Sequence, residues 1–391
     1  MRRLVLSASA LRFFDSFLLI VPFYTVMFAE RGLTPTQIGV VLASWSVMGL
    51  LLEVPCGVLA DRTSRRGLLA VAQLVRCAGF FVWLAFPNFW GFLLGLMLWG
   101  LKSATFNGAF EAVIYDELKA LGREAEYARV MGRAQAGRAA GVLGASLAAA
   151  PVAARGYEVL ILASAAAGVF AVVAALSLPK APKAAVAARW GYFSHLREGV
   201  AQAASLPGVP HLLLFIAAMQ AVVMSCADYW PLFARDVGLP KPGIALFMAA
   251  VGAVGATSAV LAHRAGRLPM GALYLLLILG GGFMLAGALT YERWSVVLPM
   301  AFVGLYWLVD VNADARFQHA LRPETRATVA SVKGLAMQGA TALLMLGWGV
   351  LADVTAYRVT FGAAGVAAML VGAGFGAAAF LRRPIAARAQ P

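Results

Sequence analysis

The feature that most constrains this chain is a series of apolar runs, each long enough to cross a lipid bilayer. A helix needs about 20 mainly apolar residues to span the hydrocarbon layer, which is roughly 30 Å thick. Because 62% of the 391 residues are apolar and only 13% are charged, a water-soluble enzyme and a disordered chain are both excluded. The sequence therefore predicts an all-α, polytopic membrane protein with twelve transmembrane helices. The predicted spans are 4–28, 36–60, 67–87, 90–116, 127–152, 157–178, 209–233, 243–262, 269–290, 294–315, 328–352 and 358–381.

One long polar connection divides the twelve spans into two groups of six. It runs over residues 179–207, is bounded by prolines, and carries several basic side chains, including Lys180 and Arg197. We therefore predict a six-helix bundle over residues 1–178, a cytoplasmic linker over 179–207 and a second six-helix bundle over 208–391.

Two short segments of the first half recur in the second half. The sequence FAERGLTP at 28–35 is similar to FARDVGLP at 233–240, and VLADRTSR at 58–65 is similar to VLAHRAGR at 260–267. The offsets of 205 and 202 residues agree within a short insertion or deletion. Two halves with the same orientation imply a pseudo-twofold axis along the membrane normal.

The basic residues are concentrated on one side of the predicted membrane. If the N-terminus is cytoplasmic, the cytoplasmic segments hold 22 of the 32 Lys and Arg residues, and the opposite segments hold 6. Cytoplasmic loops of membrane proteins carry such an excess. We therefore expect both termini to be cytoplasmic. The same distribution accounts for the net charge of +14 without a nucleic-acid partner.

A charged motif follows the second predicted helix, where residues 57–66 read GVLADRTSRR. Together with the two sets of six spans and the basic central loop, this motif resembles the major facilitator superfamily, whose pattern is G-x-L-A-D-R-x-G-R-R. The resemblance covers nearly the whole chain, but Ser64 stands where the family usually has Gly, so the turn geometry is expected to differ. The resemblance implies a bacterial secondary transporter of the cytoplasmic membrane that works by rocker-switch alternating access.

The resemblance also implies that the motif residues control conformation and do not bind substrate. These residues are Gly57, Asp61, Arg62, Arg65 and Arg66, with Asp116 at the inner end of the fourth helix. Arg62 or Arg65 can pair with Asp116. Contacts that form in one state and break in the other bias a two-state equilibrium. The alternative interpretation is that these arginines only fix the topology.

In the family, the first, fourth, seventh and tenth helices line a central cavity, and here these helices carry polar side chains within the membrane. An ionisable group in hydrocarbon normally faces a cavity or a partner. Arg12 and Asp15 are three residues apart and can pair on one face of the first helix. Glu53 on the second helix can pair with Arg76 or Arg138. The candidate cavity residues are Arg12, Asp15, Lys102, Asn107, Glu111, Gln220, Asp228, Tyr306, Trp307 and Asp310.

The carboxyl groups on these helices are candidates for carrying a coupling proton. Removal from water favours the protonated form of a carboxyl group, and a nearby cation opposes this effect. One or two of Asp15, Glu111 and Asp310 are therefore expected to exchange a proton, which would change the preferred access state. The alternative for Asp15 is a structural pair with Arg12 that only positions the first helix.

These features favour a proton-coupled transporter of a small organic molecule, with no cofactor other than the proton. Aromatic side chains beside carboxylates suit an amphipathic, partly cationic solute, which favours an exporter that works by antiport. The mixed charges of Arg12, Lys102 and the carboxylates leave open a proton symporter that imports a polar or zwitterionic nutrient. An enzyme is not expected, because no clustered catalytic set is seen, and the dispersed histidines do not suggest a metal site. We expect a monomer in the bilayer.

Overall fold

The computed structural model describes residues 1–179, 192–321 and 326–381, apart from a few side chains within these ranges. Within them the regular secondary structure is helical, so the predicted all-α fold is confirmed. The α-helices are α1 Arg2–Ser16, α2 Tyr24–Glu30, α3 Pro35–Arg62, α4 Arg65–Ala85, α5 Phe89–Ala120, α6 Tyr127–Val152, α7 Tyr157–Ser177, α8 Tyr192–Ser205, α9 Val209–Ala227, α10 Trp230–Asp236, α11 Lys241–Leu261, α12 Met270–Thr290, α13 Val297–Ala320, α14 Arg326–Val354 and α15 Tyr357–Leu381.

Eleven helical segments in the described ranges are long and apolar enough to cross a membrane. The remaining predicted span, 4–28, is divided between α1 and α2, so the prediction of one continuous helix there is wrong. Pro22 lies in the break and cannot donate the N–H that a continuous helix would need. In the break, the Ile20 N–H has no partner within its own helix and donates to Ser164 Oγ of α7 at 3.1 Å. Non-helical backbone is tolerated at membrane depth when it is buried in protein and hydrogen-bonded in this way.

The seventh predicted span is interrupted at the corresponding place in the second half. Its two pieces are α9 and α10, and Asp228 and Tyr229 lie between them. Pro231 stands in the first turn of α10, where a missing N–H costs little. We call α1 to α7 the first half and α9 to α15 the second half. Each half therefore begins with a broken membrane-spanning helix.

The recurring segments at 28–35 and 233–240 fold into equivalent turns. Gly32 and Gly238 have positive φ angles of 88° and 86°, a conformation that glycine adopts without steric cost. The Leu33 N–H donates to the Phe28 carbonyl, and the Leu239 N–H donates to the Ala234 carbonyl. The sequence repeat thus corresponds to a repeated turn between the first two spans of each half.

The predicted linker contains a helix, α8, which packs against α14 of the second half. A Cβ atom added to Gly199 of α8 would lie 2.9 Å from methyl groups of both Thr328 and Val332. Lys180, Lys183 and Arg189 of this linker lie outside the described residues, and its boundaries and those of the two bundles remain predictions.

The two ends of the helix bundle differ in their side chains. We call the end that carries Arg2, Arg65 and Arg123 the basic end. The opposite end, where Glu30 and Lys241 meet, is called the closed end.

Candidate functional site

A cavity of about 670 Å³ lies between the two halves. Its walls come mainly from α3 and α5 of the first half and from α9 and α14 of the second. It extends from Asp228 and Met345 towards Arg65 at the basic end. This volume is typical of a site for a small organic ligand. Most of the wall is small or apolar, and the polar side chains that line it are Ser46, Glu53, Arg65, Ser103, Thr105, Asp228, Gln338 and Thr341.

Contacts between the halves seal the cavity towards the closed end. The Tyr24 hydroxyl of the first half donates to Asp228 Oδ1 of the second at 2.6 Å. Further out, Lys241 Nζ lies 3.0 Å from Glu30 Oε2. Tyr24 begins α2 and Asp228 lies in the break between α9 and α10, so the two broken helices meet here. Interrupted helices at corresponding places in two repeats typically mark a transporter's binding site.

Close backbone packing of α3 against α14 completes the seal. A Cβ atom on Gly349 would lie 2.9 Å from Gly39 Cα and 2.6 Å from the Pro35 carbonyl oxygen. Real Cβ atoms do not approach backbone this closely, so Gly349 permits the helices to touch. The Tyr229 hydroxyl donates to the Met345 carbonyl at 2.7 Å and holds α14 against the broken seventh span.

Asp15 lies in a buried polar network within the first half. Its carboxylate accepts hydrogen bonds from Gln73 at 2.8 Å and from Arg76 at 3.0 Å, and it forms an ion pair with Lys102. The Arg76 guanidinium also donates to Gln73 Oε1 at 2.6 Å. The side chains of Arg76 and Lys102 are only 1% and 6% exposed. Two cations therefore share one carboxylate in the interior of this half.

The predicted pair between Arg12 and Asp15 does not form. Arg12 instead donates to Gln135 Oε1 of α6 at 3.0 Å and lies over the rings of Phe106 and Phe110. Asp15 instead takes its partners from other helices, Arg76 from α4 and Lys102 from α5. The predicted pair of Glu53 with Arg76 or Arg138 is not seen among the described residues, and Arg76 is bound to Asp15.

The second half has a corresponding polar bridge between its first and fourth spans. Gln220 Nε2 on α9 donates to Asp310 Oδ1 on α13 at 2.7 Å. Gln220 follows Asp15 by 205 residues, and Asp310 follows Lys102 by 208 residues, close to the sequence-repeat offsets. Each half therefore joins its first and fourth spans through polar side chains. The first half uses the ion pair of Asp15 and Lys102, and the second uses the hydrogen bond from Gln220 to Asp310.

The other predicted cavity residues occupy varied places. Tyr306 is buried one helical turn before Asp310, and the Trp307 ring packs against Gly255 of α11. Glu111 is exposed on α5. The side chains of Asn107 and Asp61 lie outside the part of the chain that the structure describes. Among the side chains that are described, Asp228 is the only predicted cavity residue that lines the central cavity.

The motif residues lie at the basic end. Arg65 forms the predicted ion pair with Asp116 of α5. Arg66 donates to the Leu178 carbonyl at 3.2 Å, which ties α4 to the end of α7. Gly57 lines the cavity and Arg62 is exposed. Ser64 has a φ of −70° and caps α4 by accepting the Gly67 N–H, so this position does not require glycine.

Several residues that form the Asp15 network or the cavity wall were not predicted from the sequence. Gln73 and Arg76 bind Asp15 without having been predicted to do so, although two polar residues three positions apart in an apolar span are a usable signal. The sequence suggests an ion pair for Glu53, whereas in the structure this residue lines the cavity. The methionines and Gln338 on the cavity wall carry no distinctive sequence pattern.

Comparison with known proteins agrees with this architecture. The profile described as the Major Facilitator Superfamily matches residues 5–337. A mutant of the nucleoside transporter NupG has a TM-score of 0.79 at 15% identity, with 96% of this chain and 99% of that chain covered. An auto-inhibited peptide transporter of the POT family gives 0.78 at 16% identity, with 98% of both chains covered.

A bacterial homologue of the human lysosomal transporter Spinster, in an inward-facing and unoccupied conformation, gives a TM-score of 0.76 at 16% identity. The match covers 97% of this chain and 96% of that chain. Comparison with curated proteins gave no match. These structural likenesses establish the fold, and the profile match covers most of the sequence. The chain therefore belongs to the major facilitator superfamily and is a multi-pass membrane transporter of the secondary type, not an enzyme.

Proposed function

We propose that the protein is a proton-coupled antiporter that exports an amphipathic organic cation across a bacterial cytoplasmic membrane. The main support is the pair of carboxylates, Glu53 and Asp228, on the wall of a largely apolar cavity between the halves. A cationic group can pair with either carboxylate, while the apolar part of the solute contacts the remaining wall. Arg65, the basic residue at the mouth, is engaged with Asp116.

The rest of the lining suits an amphipathic solute. The ring of Trp45 offers an aromatic face, and the quadrupole of such a ring attracts a cation. Met224, Met337 and Met345 provide flexible, polarizable surface that adapts to solutes of different shape. Hydroxyl and amide groups such as Thr341 and Gln338 can orient a polar group on the solute.

Asp228 is the proposed link between proton and solute. A proton and a cationic solute compete for the same carboxylate, which is the requirement for exchange. The carboxylate also accepts the Tyr24 hydroxyl bond that joins the halves. A hydrogen bond to a charged group contributes about 1.5–3 kcal/mol, so neutralising Asp228 would shift the access equilibrium by roughly ten-fold or more.

The alternative, import by proton symport, rested on a cavity of mixed charge. Arg12 and Lys102, the cations that suggested a zwitterionic substrate, are not among the lining residues and bond to Gln135 and Asp15. The described lining therefore favours a cation over a zwitterion. The excess of Lys and Arg at the basic end favours its placement in the cytoplasm, so the cavity would be accessible for loading from inside.

The test is solute flux in proteoliposomes under an imposed pH gradient. A panel of amphipathic organic cations and zwitterionic nutrients would be followed together with internal pH. We expect cations to move against the direction of proton flow, and Asp228→Asn to reduce this exchange at least ten-fold. Asp353→Asn, which removes an exposed carboxylate outside the cavity lining, is the matched control and should retain exchange.

Two results would contradict the proposal. Solute moving in the same direction as protons would establish symport. Unchanged exchange by the Asp228→Asn variant would show that the coupling site lies elsewhere.

A further inference from the structure

A second concave site lies at the basic end, away from the central cavity. It is a groove of about 400 Å³ between the N-terminal part of α1 and the segment that leads into α6. Its polar wall is formed by Arg2, Arg123, Arg129 and Arg133, together with one acid, Glu126. The central transport cycle, as proposed above, uses none of these residues.

The groove has an uncompensated positive charge. Glu126 forms an ion pair with Arg123. Among the described residues, Arg2, Arg129 and Arg133 have no acidic partner, and all three are exposed. Arg129 and Arg133 are four residues apart on α6, so their like charges face the same side and repel each other. This arrangement favours an anion that binds between them.

The remaining wall of the groove is apolar. Val130 forms a buried part of it, and Leu6 of α1 is 58% exposed beside the arginines. Both helices lead from the groove towards apolar sequence, which begins at Leu4 on α1 and after Arg138 on α6, so the groove is expected to lie near the membrane surface. A guanidinium group binds a phosphate through two parallel hydrogen bonds, and exposed apolar side chains below it suit acyl chains. Basic pockets between transmembrane helices are suited to anionic lipid headgroups.

We propose that this groove binds the phosphate of an anionic membrane phospholipid, with Arg2, Arg129 and Arg133 as its ligands and Leu6 against the acyl chain. A bound lipid would neutralise the repulsion on α6 and bridge α6 to α1. This proposal does not depend on the substrate or the direction of transport.

The test compares two double variants that remove the same charge. Arg129→Gln with Arg133→Gln alters the groove. Arg264→Gln with Arg267→Gln removes two exposed arginines outside the groove, between α11 and α12 of the second half. Delipidated protein in detergent would be titrated with phosphatidylglycerol, cardiolipin, phosphatidylcholine or inorganic phosphate, with binding measured by native mass spectrometry and by thermal stability.

We expect the wild type to prefer phosphatidylglycerol and cardiolipin over phosphatidylcholine. The groove variant should weaken this binding by about ten-fold or more, since it removes two of the three arginines proposed to hold the phosphate. The control variant should bind like the wild type. Should the groove variant not be recovered folded, Arg133→Lys keeps the charge but loses the paired hydrogen bonds, and it should still weaken binding measurably.

Three results would overturn the proposal. Equal losses in both double variants would indicate general electrostatic attraction. No preference for anionic lipids in the wild type would remove the site itself. Inorganic phosphate that binds as tightly as the lipids would show a small-anion site instead.

Discussion

Asp15 and Asp228 are carboxylates on the first and seventh spans, but their surroundings give them different roles. Asp15 is held by Arg76, Lys102 and Gln73 within one half. Asp228 lines the cavity, and its hydrogen bond from Tyr24 crosses between the halves. A carboxylate fully occupied by buried cations is suited to holding helices together. One that lines a cavity between the halves is placed to respond to a ligand, as proposed for Asp228.

The Asp15 network makes a specific prediction about stability. Asp15→Asn leaves Arg76 and Lys102 buried without their counter-ion, and breaking a buried pair in this way costs about 3–5 kcal/mol. Lys102→Met should cost less, because Asp15 keeps Arg76 as its partner. Unfolding of the purified variants in detergent would measure both effects. A larger loss of stability for Lys102→Met than for Asp15→Asn would contradict this reading of the network.

Residue types could be predicted from the sequence more reliably than residue partners. Charged side chains are rare in apolar spans, so Asp15, Lys102 and Asp310 were recognisable as significant. Their partners were not, because Arg76 of α4 and Asp15 of α1 are 61 residues apart and meet only in the folded bundle. For Asp116 the family resemblance narrowed the partner to Arg62 or Arg65, and the structure shows the ion pair with Arg65.

Among the secondary-structure elements, the broken first and seventh spans and the α3–α14 contact determine how the halves meet. The two breaks bring Tyr24 next to Asp228, and the glycines of α3 and α14 allow backbone contact beyond the cavity. Hydropathy located the spans because apolar length is a local property. It did not reveal the break in the first span. The break depends on a hydrogen bond from the Ile20 N–H to Ser164 of another helix, which is not a local property of the sequence.

Closure at α3 and α14 should be sensitive to a single methyl group. Gly349→Ala would place a Cβ within 2.6 Å of the Pro35 carbonyl and should open the closed end. Gly347→Ala, on the same helix, has nothing within 4 Å of the added atom and is the matched control. Spin labels at Arg155→Cys and Arg293→Cys would report the distance between halves, since Cys56, Cys77 and Cys226 are buried.

We expect a longer or broader distance distribution for Gly349→Ala and an unchanged one for Gly347→Ala. Identical distributions for both variants would mean that this glycine contact does not control closure.

For the whole molecule, two related halves enclose a central cavity that is sealed towards Glu30 and Lys241. The sequence repeat predicted the relation between the halves, and the turns at Gly32 and Gly238 bear it out. The residues that line the cavity were harder to predict, because they depend on how the halves are tilted. Glu53 lines the cavity because of how α3 is placed relative to the second half, a geometry that no local pattern encodes.

The central claim is that solute and proton compete at Asp228, and proton release on solute binding tests it most directly. Purified protein in weakly buffered detergent solution would be mixed with a transported cation while a pH indicator is followed. Competition predicts release of up to about one proton per solute bound by the wild type and by Asp353→Asn, with no release by Asp228→Asn. Equal proton release by Asp228→Asn, or proton uptake by the wild type, would contradict the account.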